Sequence, residues 1–134
     1  MDGVAIVYSL LAGDAGIAGL SPVPTIASGV LPAGTPLDAI AITRISGVDL
    51  NVIAPGATRH VTERVQVTAL AATYPRQKAI LRAVKHALAD FIGSAAGLTN
   101  VTIQTDHAGP DFMDEEASIR AGTQDFIVGY LEPR

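Results

Sequence analysis

The chain has 134 residues, of which 49% are hydrophobic and 16% charged, and its formal net charge is −4. A chain of this length buries roughly two-thirds of its unfolded surface, so one domain over residues 1–134 is expected and a disordered tail is excluded. The negative balance argues against a nucleic-acid-binding surface, which needs a basic patch. The absence of cysteine excludes disulfides, thiolate nucleophiles and cysteine-based zinc sites.

Aromatic residues make up only 4% and tryptophan is missing, so the core must be built from Ala, Val, Ile and Leu. The apolar start from Val4 to Ala12 follows Asp2 and no basic residue, so no secretory signal is expected. No apolar run approaches the ~18 residues of a membrane span, and the protein is expected to be soluble and intracellular at synthesis.

Val4, Ile6, Val7, Leu10 and Leu11 recur at helical spacing, and Gly13-Asp14 stops the pattern. Ile17 to Pro24 reads as a connector, because Pro22 and Pro24 prevent regular pairing. A strand is expected over Thr25–Leu31, and a better one over Leu37–Ser46. In the latter, Ala39, Ala41, Thr43 and Ile45 share one face while Ile40, Ile42 and Arg44 share the other. Both faces are partly apolar, which suits a strand inside a sheet.

Gly47 to Arg59 is irregular, broken by two glycines and Pro55, and reads as a long loop that nonetheless carries Val48, Leu50, Val52 and Ile53. Exposed aliphatic side chains are costly unless something covers them. His60 to Ala71 alternates as a strand, with Val61, Glu63, Val65, Val67 and Ala69 on one face. Tyr74-Pro75 opens a helix whose stripe is Ala79, Ile80, Ala83, Val84, Ala87, Leu88, Phe91 and Ile92, closed by Gly93. Its charges Arg76, Lys78, Arg82 and Lys85 read as a solvated face. Leu98–Thr105 reads as a strand, His107–Glu116 as an acidic loop, and Ser118–Leu131 as a final strand with a bulge or bend at Gly122. The fold class that follows is α+β, a mostly antiparallel β-sheet with two helices packed on it.

Chemistry has little to stand on. No Walker loop, dinucleotide-binding glycine pattern or Gly-x-Ser-x-Gly elbow is present, and Asn100-Val101-Thr102 is a chance glycosylation match. His107, Asp111, Asp114, Glu115 and Glu116 include the residue types of a divalent-cation site, which would make a small metal-dependent enzyme using His107, Asp111 and Asp114. A solvated acidic loop is the favoured reading, since no second histidine lies nearby. Glu63, on an apolar face, suits a buried general base. The favoured reading places it at a strand end or beside an arginine. No catalytic, cofactor-binding or metal-ligating residue is therefore assigned. The aliphatic material in irregular segments points to surfaces covered by other subunits.

The order of elements resembles the tail-completion (tail-terminator) family of long-tailed phages and phage-like gene transfer agents, over nearly the whole chain. The likeness begins at Leu10-Leu11-Ala12-Gly13-Asp14 and continues through Gly29-Val30-Leu31-Pro32 and Ala39-Ile40-Ala41-Ile42-Thr43-Arg44-Ile45-Ser46. It is strongest at Glu63-Arg64-Val65-Gln66-Val67-Thr68-Ala69 and from Tyr74-Pro75 into Ala79–Leu88, and it ends at Gln124-Asp125-Phe126-Ile127-Val128-Gly129-Tyr130. The chain departs from the family at Leu37-Asp38-Ala39 and near Leu70, where the family often places aromatics.

The resemblance implies a virion structural protein that is not an enzyme and binds no cofactor. It implies a self-assembled ring, commonly a hexamer, that terminates the tail tube and joins it to the neck or head-completion protein. DNA would pass through the lumen without specific binding, and assembly would occur in the bacterial cytoplasm without a membrane. Another neck or connector adaptor of the same particle is the alternative. Subunit or partner contacts are expected from Val48, Leu50, Val52, Ile53 and Arg59 in the middle loop, and from Asp111, Asp114, Glu115 and Glu116 in the acidic one.

Overall fold

A computed structural model describes residues 2–20, 25–29, 36–49, 56, 58–109, 111–114 and 119–133. The chain opens with α1 (Gly3–Ala12), which buries Gly3, Ile6, Val7 and Leu11 along the predicted stripe. Gly13 ends it, and the Asp14 carboxylate then accepts from the Ile17 amide at 3.1 Å, capping a single helical turn, α2 (Ala15–Ala18). The expected connector therefore starts as a third helix, because an N-cap aspartate there makes another turn favourable. Residues 21–24 lie outside the described residues.

Strand β1 (Ile26–Ser28) runs parallel to the start of β2 (Ala39–Asp49), pairing Ile26 with Ile40 and Ser28 with Ile42. The rest of the strand expected there, from residue 30 onward, lies outside the described residues. β2 pairs antiparallel with β3 (Thr58–Ala71), with a bulge between Arg44 and Ser46. Both strands outrun their predicted bounds, so residues 47–49 and 58–59 of the expected loop are ladder. Cross-strand bonds override the glycine at 47, which sits opposite Glu63. β2 is also less interior than expected: among the described residues its outer side meets β1 only at residues 40–42.

Helix α3 (Tyr74–Leu88) buries Gln77, Ile80, Val84 and Leu88, with Pro75 in its first turn. It stops earlier than predicted. Ala89 is extended and Asp90 adopts φ +60, a left-handed conformation that aspartate tolerates better than most residues. The chain turns back there, so Phe91 still reaches the core while Ile92 and Gly93 leave the helix for β4 (Ile92–Ala95). β5 (Leu98–Ala108), β6 (Phe112–Asp114) and β7 (Ile119–Pro133) follow. Most of the described residues of the predicted acidic loop are thus strand, since β5 runs on to Ala108 and β6 pairs with β7 from Phe112.

Among the described residues, seven strands form one mixed sheet of order β1-β2-β3-β7-β5-β4, with β6 beside β7, and three helices accompany it. β3 and β7 are the central pair, in unbroken register from Thr58↔Pro133 to Ala71↔Arg120. No bulge occurs at Gly122, which pairs regularly with Ala69. Its role is spatial: a Cβ there would stand 2.8 Å from the Gln77 side chain, so glycine lets α3 sit close on β7. The helices cover one face of the sheet. The core lies between, with Val61, Val65 and Val67 of β3 and Phe126 and Val128 of β7 packed with Ile6, Leu11, Ile80 and Val84. The other face carries no helix among the described residues. No described helix is long and apolar enough to cross a membrane.

Candidate functional site

Several polar clusters among the described residues brace the sheet. The first surrounds Glu63, fully buried in mid-strand on β3. Its Oε2 accepts from the Gly3 amide at 2.5 Å and from the Tyr130 hydroxyl at 2.8 Å, while the Tyr130 oxygen accepts from the Asp2 amide at 2.7 Å. The expected strand-end position or arginine partner is overturned. The carboxylate instead meets the N-terminus of α1, where free backbone N–H groups and the helix dipole favour an anion. Asp2 supplies no side-chain cap of its own. Burial pushes the Tyr130 hydroxyl well above the usual phenol range, and the neighbouring Glu63 adds to the shift. Glu63 Oε1 has no partner among the described residues.

The second cluster lies on the helix-free face. Asp125 of β7, 4% exposed, accepts from Arg64 of β3 at 2.5 Å and 2.9 Å and from Gln66 at 3.2 Å. Arg64 also reaches Asp106 of β5 at 3.2 Å. Three strands are thereby cross-linked through one guanidinium, whose fork geometry suits two carboxylates. Sequence reading passed over this group, although the alternation already set Arg64 and Gln66 on the face opposite Val65.

The third cluster joins α3 to the β5–β6 turn. Asp111 accepts from the Tyr74 hydroxyl at 2.8 Å and from Lys78 at 3.0 Å, and Lys78 stands 5.0 Å from the Tyr74 ring centre. The Tyr74 hydroxyl first, and Lys78 second, hold the Asp111 carboxyl below its ordinary range. Arg76, two residues before Lys78, pairs with Asp38 at 2.5 Å. Half of the basic group on α3 is therefore matched by carboxylates. Above this cluster, a cavity of about 180 Å³ is lined by Tyr74, Gln77, Asp111, Phe112, Met113 and Arg120.

The expected contact residues divide between the two ends of the long strands. Val48 lies on β2 and is 67% exposed, and Arg59 is the second residue of β3, paired with Asp49 at 3.2 Å and near Glu132 at 3.9 Å. Asp111 and β6, which contains Asp114, lie at the other end, where β6 pairs with Ile119–Ala121. From Ala121 to Pro133 the extended chain covers about 40 Å. Leu50, Val52, Ile53, Glu115 and Glu116 lie outside the described residues. His107 is exposed on β5, and among the described residues no three His, Asp or Glu side chains are grouped to hold a metal ion.

This fold and surface define a small α+β protein whose polar groups brace one mixed sheet, with uncovered aliphatic side chains at its margins. The family model for Tail completion protein gp17 matches residues 5–130, and the chain belongs to that family. As such it is a structural component of a phage-type particle. Among solved structures, a chain in the virion of a native gene transfer agent particle shares the fold, with a TM-score of 0.68 at 20% sequence identity. The alignment covers 97% of this chain and 95% of that one. No curated protein matches the chain.

Proposed function

We propose that the protein acts as a single domain that assembles with copies of itself into a ring, commonly of six, closing the head-proximal end of a tail tube. The ring ends tube polymerisation and offers the neck or head-completion protein a docking face. It carries out no catalysis and needs no cofactor. Assembly takes place in the cytoplasm of a bacterial host, and DNA passes through the lumen without specific contacts.

Family membership over residues 5–130 carries this reading. The geometry supports it in one respect. A joining ring must present different surfaces to tube and neck, and the expected contact groups fall at opposite ends of β3 and β7. Val48 and Arg59 stand at one end, and Asp111 and Asp114 at the other; Leu50, Val52, Ile53, Glu115 and Glu116, outside the described residues, are grouped with them by sequence alone. We assign these two groups to axial or lateral contacts.

Mixing the purified protein with tail tubes of the same particle tests the reading under the electron microscope. Caps on one end only, with arrested tube growth, are expected. Uncapped tubes together with binding to portal complexes would instead assign the chain to a head-side adaptor.

A further inference from the structure

The register across the sheet sets five residues in one line. Val48 of β2 faces Thr62 of β3, Thr62 faces Gly129 of β7, Gly129 faces Thr102 of β5, and Thr102 faces Ile92 of β4. All five lie on the helix-free face, because their neighbours Val61, Val101 and Val128 point into the core. The centre of the line is glycine and threonine. Its two ends are aliphatic and uncovered, Val48 at 67% and Ile92 at 81% exposure.

These ends stand on the two margins of the sheet. Among the described residues, no strand lies outside β2 beyond residue 42 or outside β4. A free edge offers unpaired backbone donors and acceptors; β2 carries its bulge at Arg44–Ser46, before Val48, and β4 is short, but neither strand holds the lysine or proline that commonly guards an edge. Each margin thus has both the backbone groups and the apolar side chain that a further strand would need.

We infer that a second copy of this chain fills each margin, β4 of one subunit lying beside β2 of the next, with Ile92 packed against Val48. Counting directions across the ladder, β2, β7 and β4 run the same way, so the new pairing is parallel. It extends the helix-free face from copy to copy. The contact is heterologous, joining two different edges, and such contacts close into rings only when successive copies do not climb along the axis. Val48 and Ile92 sit at the same level of the ladder, so joining them adds no offset along the strands. The inference rests on the ring reading and specifies which surfaces build the ring.

The absence of cysteine from the chain makes a direct test possible. Paired strands lie ~4.8 Å apart, and disulfides bridge Cα separations of roughly 4.4–6.8 Å. The double variant Val48→Cys/Ile92→Cys, assembled on tail tubes and oxidised, should give a covalent ladder up to the full ring. Each single variant should stay monomeric, since identical positions never meet in a head-to-tail ring. A second variant, Ile92→Lys, should lower tube capping at least tenfold with an unchanged unfolding midpoint. Double-cysteine protein that caps tubes yet runs as monomer, or Ile92→Lys that caps like the wild type, overturns the edge pairing and leaves the ring intact. Wild-type protein that never caps or closes on tubes removes ring and pairing together.

Discussion

Glu63 shows how a residue that looks catalytic can be a joint. A carboxylate is costly in an apolar core unless donors surround it, and here the donors come from the N-terminus of α1 and from Tyr130. Gly3 is part of the same arrangement, because a Cβ at that position would stand 2.5 Å from Glu63 Oε2. Replacing Glu63 with leucine orphans the Gly3 amide and the Tyr130 hydroxyl. Each buried unsatisfied group costs about 1–3 kcal/mol, so Glu63→Leu should lower the urea midpoint clearly. A midpoint equal to that of the wild type would show that the joint contributes nothing. Tyr130 adds a pH signature. Its hydroxyl is held protonated in the folded state above the ordinary phenol pKa of about 10. The folded form therefore retains a proton that the unfolded chain releases, and this contribution is complete below about pH 10 and declines as pH rises beyond it. Stability measured by urea unfolding at rising alkaline pH should fall more steeply for the wild type than for Tyr130→Phe. Parallel curves would assign no such role to Tyr130.

The seating of α3 on β7 depends on one small residue beneath one large one. The Gln77 carboxamide is fully buried directly over Gly122, and neither its nitrogen nor its oxygen has a partner among the described residues. Gly122→Ala should destabilise by about 1–3 kcal/mol through overpacking. Gln77→Ala empties the space, so the double variant should recover most of that loss. Additive single effects in this cycle would mean that the two residues do not meet. Much of the element plan was readable beforehand. The alternation Val61–Ala69 names a strand buried on one face, and the 3–4 spacing in α3 names its stripe through Leu88. What escaped reading was set by distant partners. The ladder with β3 carried β2 past Gly47, pairing with β7 drew β6 out of the acidic segment, and Asp90 ended α3 without a glycine. Candidate contacts were legible as aliphatic side chains lacking a reason to be buried, Val48 among them, and as the acidic run from Asp111. Ile92 was missed because its spacing continued the helical stripe by coincidence. The Arg64–Asp125 pair was missed because it joins residues 61 positions apart.

At the scale of the whole molecule, the proposed ring, with DNA passing through it, turns on the subunit's balance of charge. Phosphate binding is driven by release of counterions as lysines and arginines neutralise the backbone. Here acidic side chains outnumber basic ones, 13 to 9. Several basic groups are already engaged: Arg76 with Asp38, Lys78 with Asp111, Arg64 with Asp106 and Asp125, and Arg59 with Asp49. Each such pair leaves less positive field for an incoming duplex. The helix-free face carries the same balance, with two carboxylates around Arg64. Isolated protein should therefore fail to shift a short DNA duplex at moderate salt, even at concentrations where basic proteins bind non-specifically with dissociation constants of roughly 10⁻⁴–10⁻⁶ M. Replacing Asp106 and Asp125 with asparagine strips Arg64 of both counter-charges and should raise affinity, with a dependence on salt that the wild type lacks. Tight, salt-sensitive binding by the unaltered protein would mean that DNA is held by the subunit, and a freely passing lumen would then be the wrong picture.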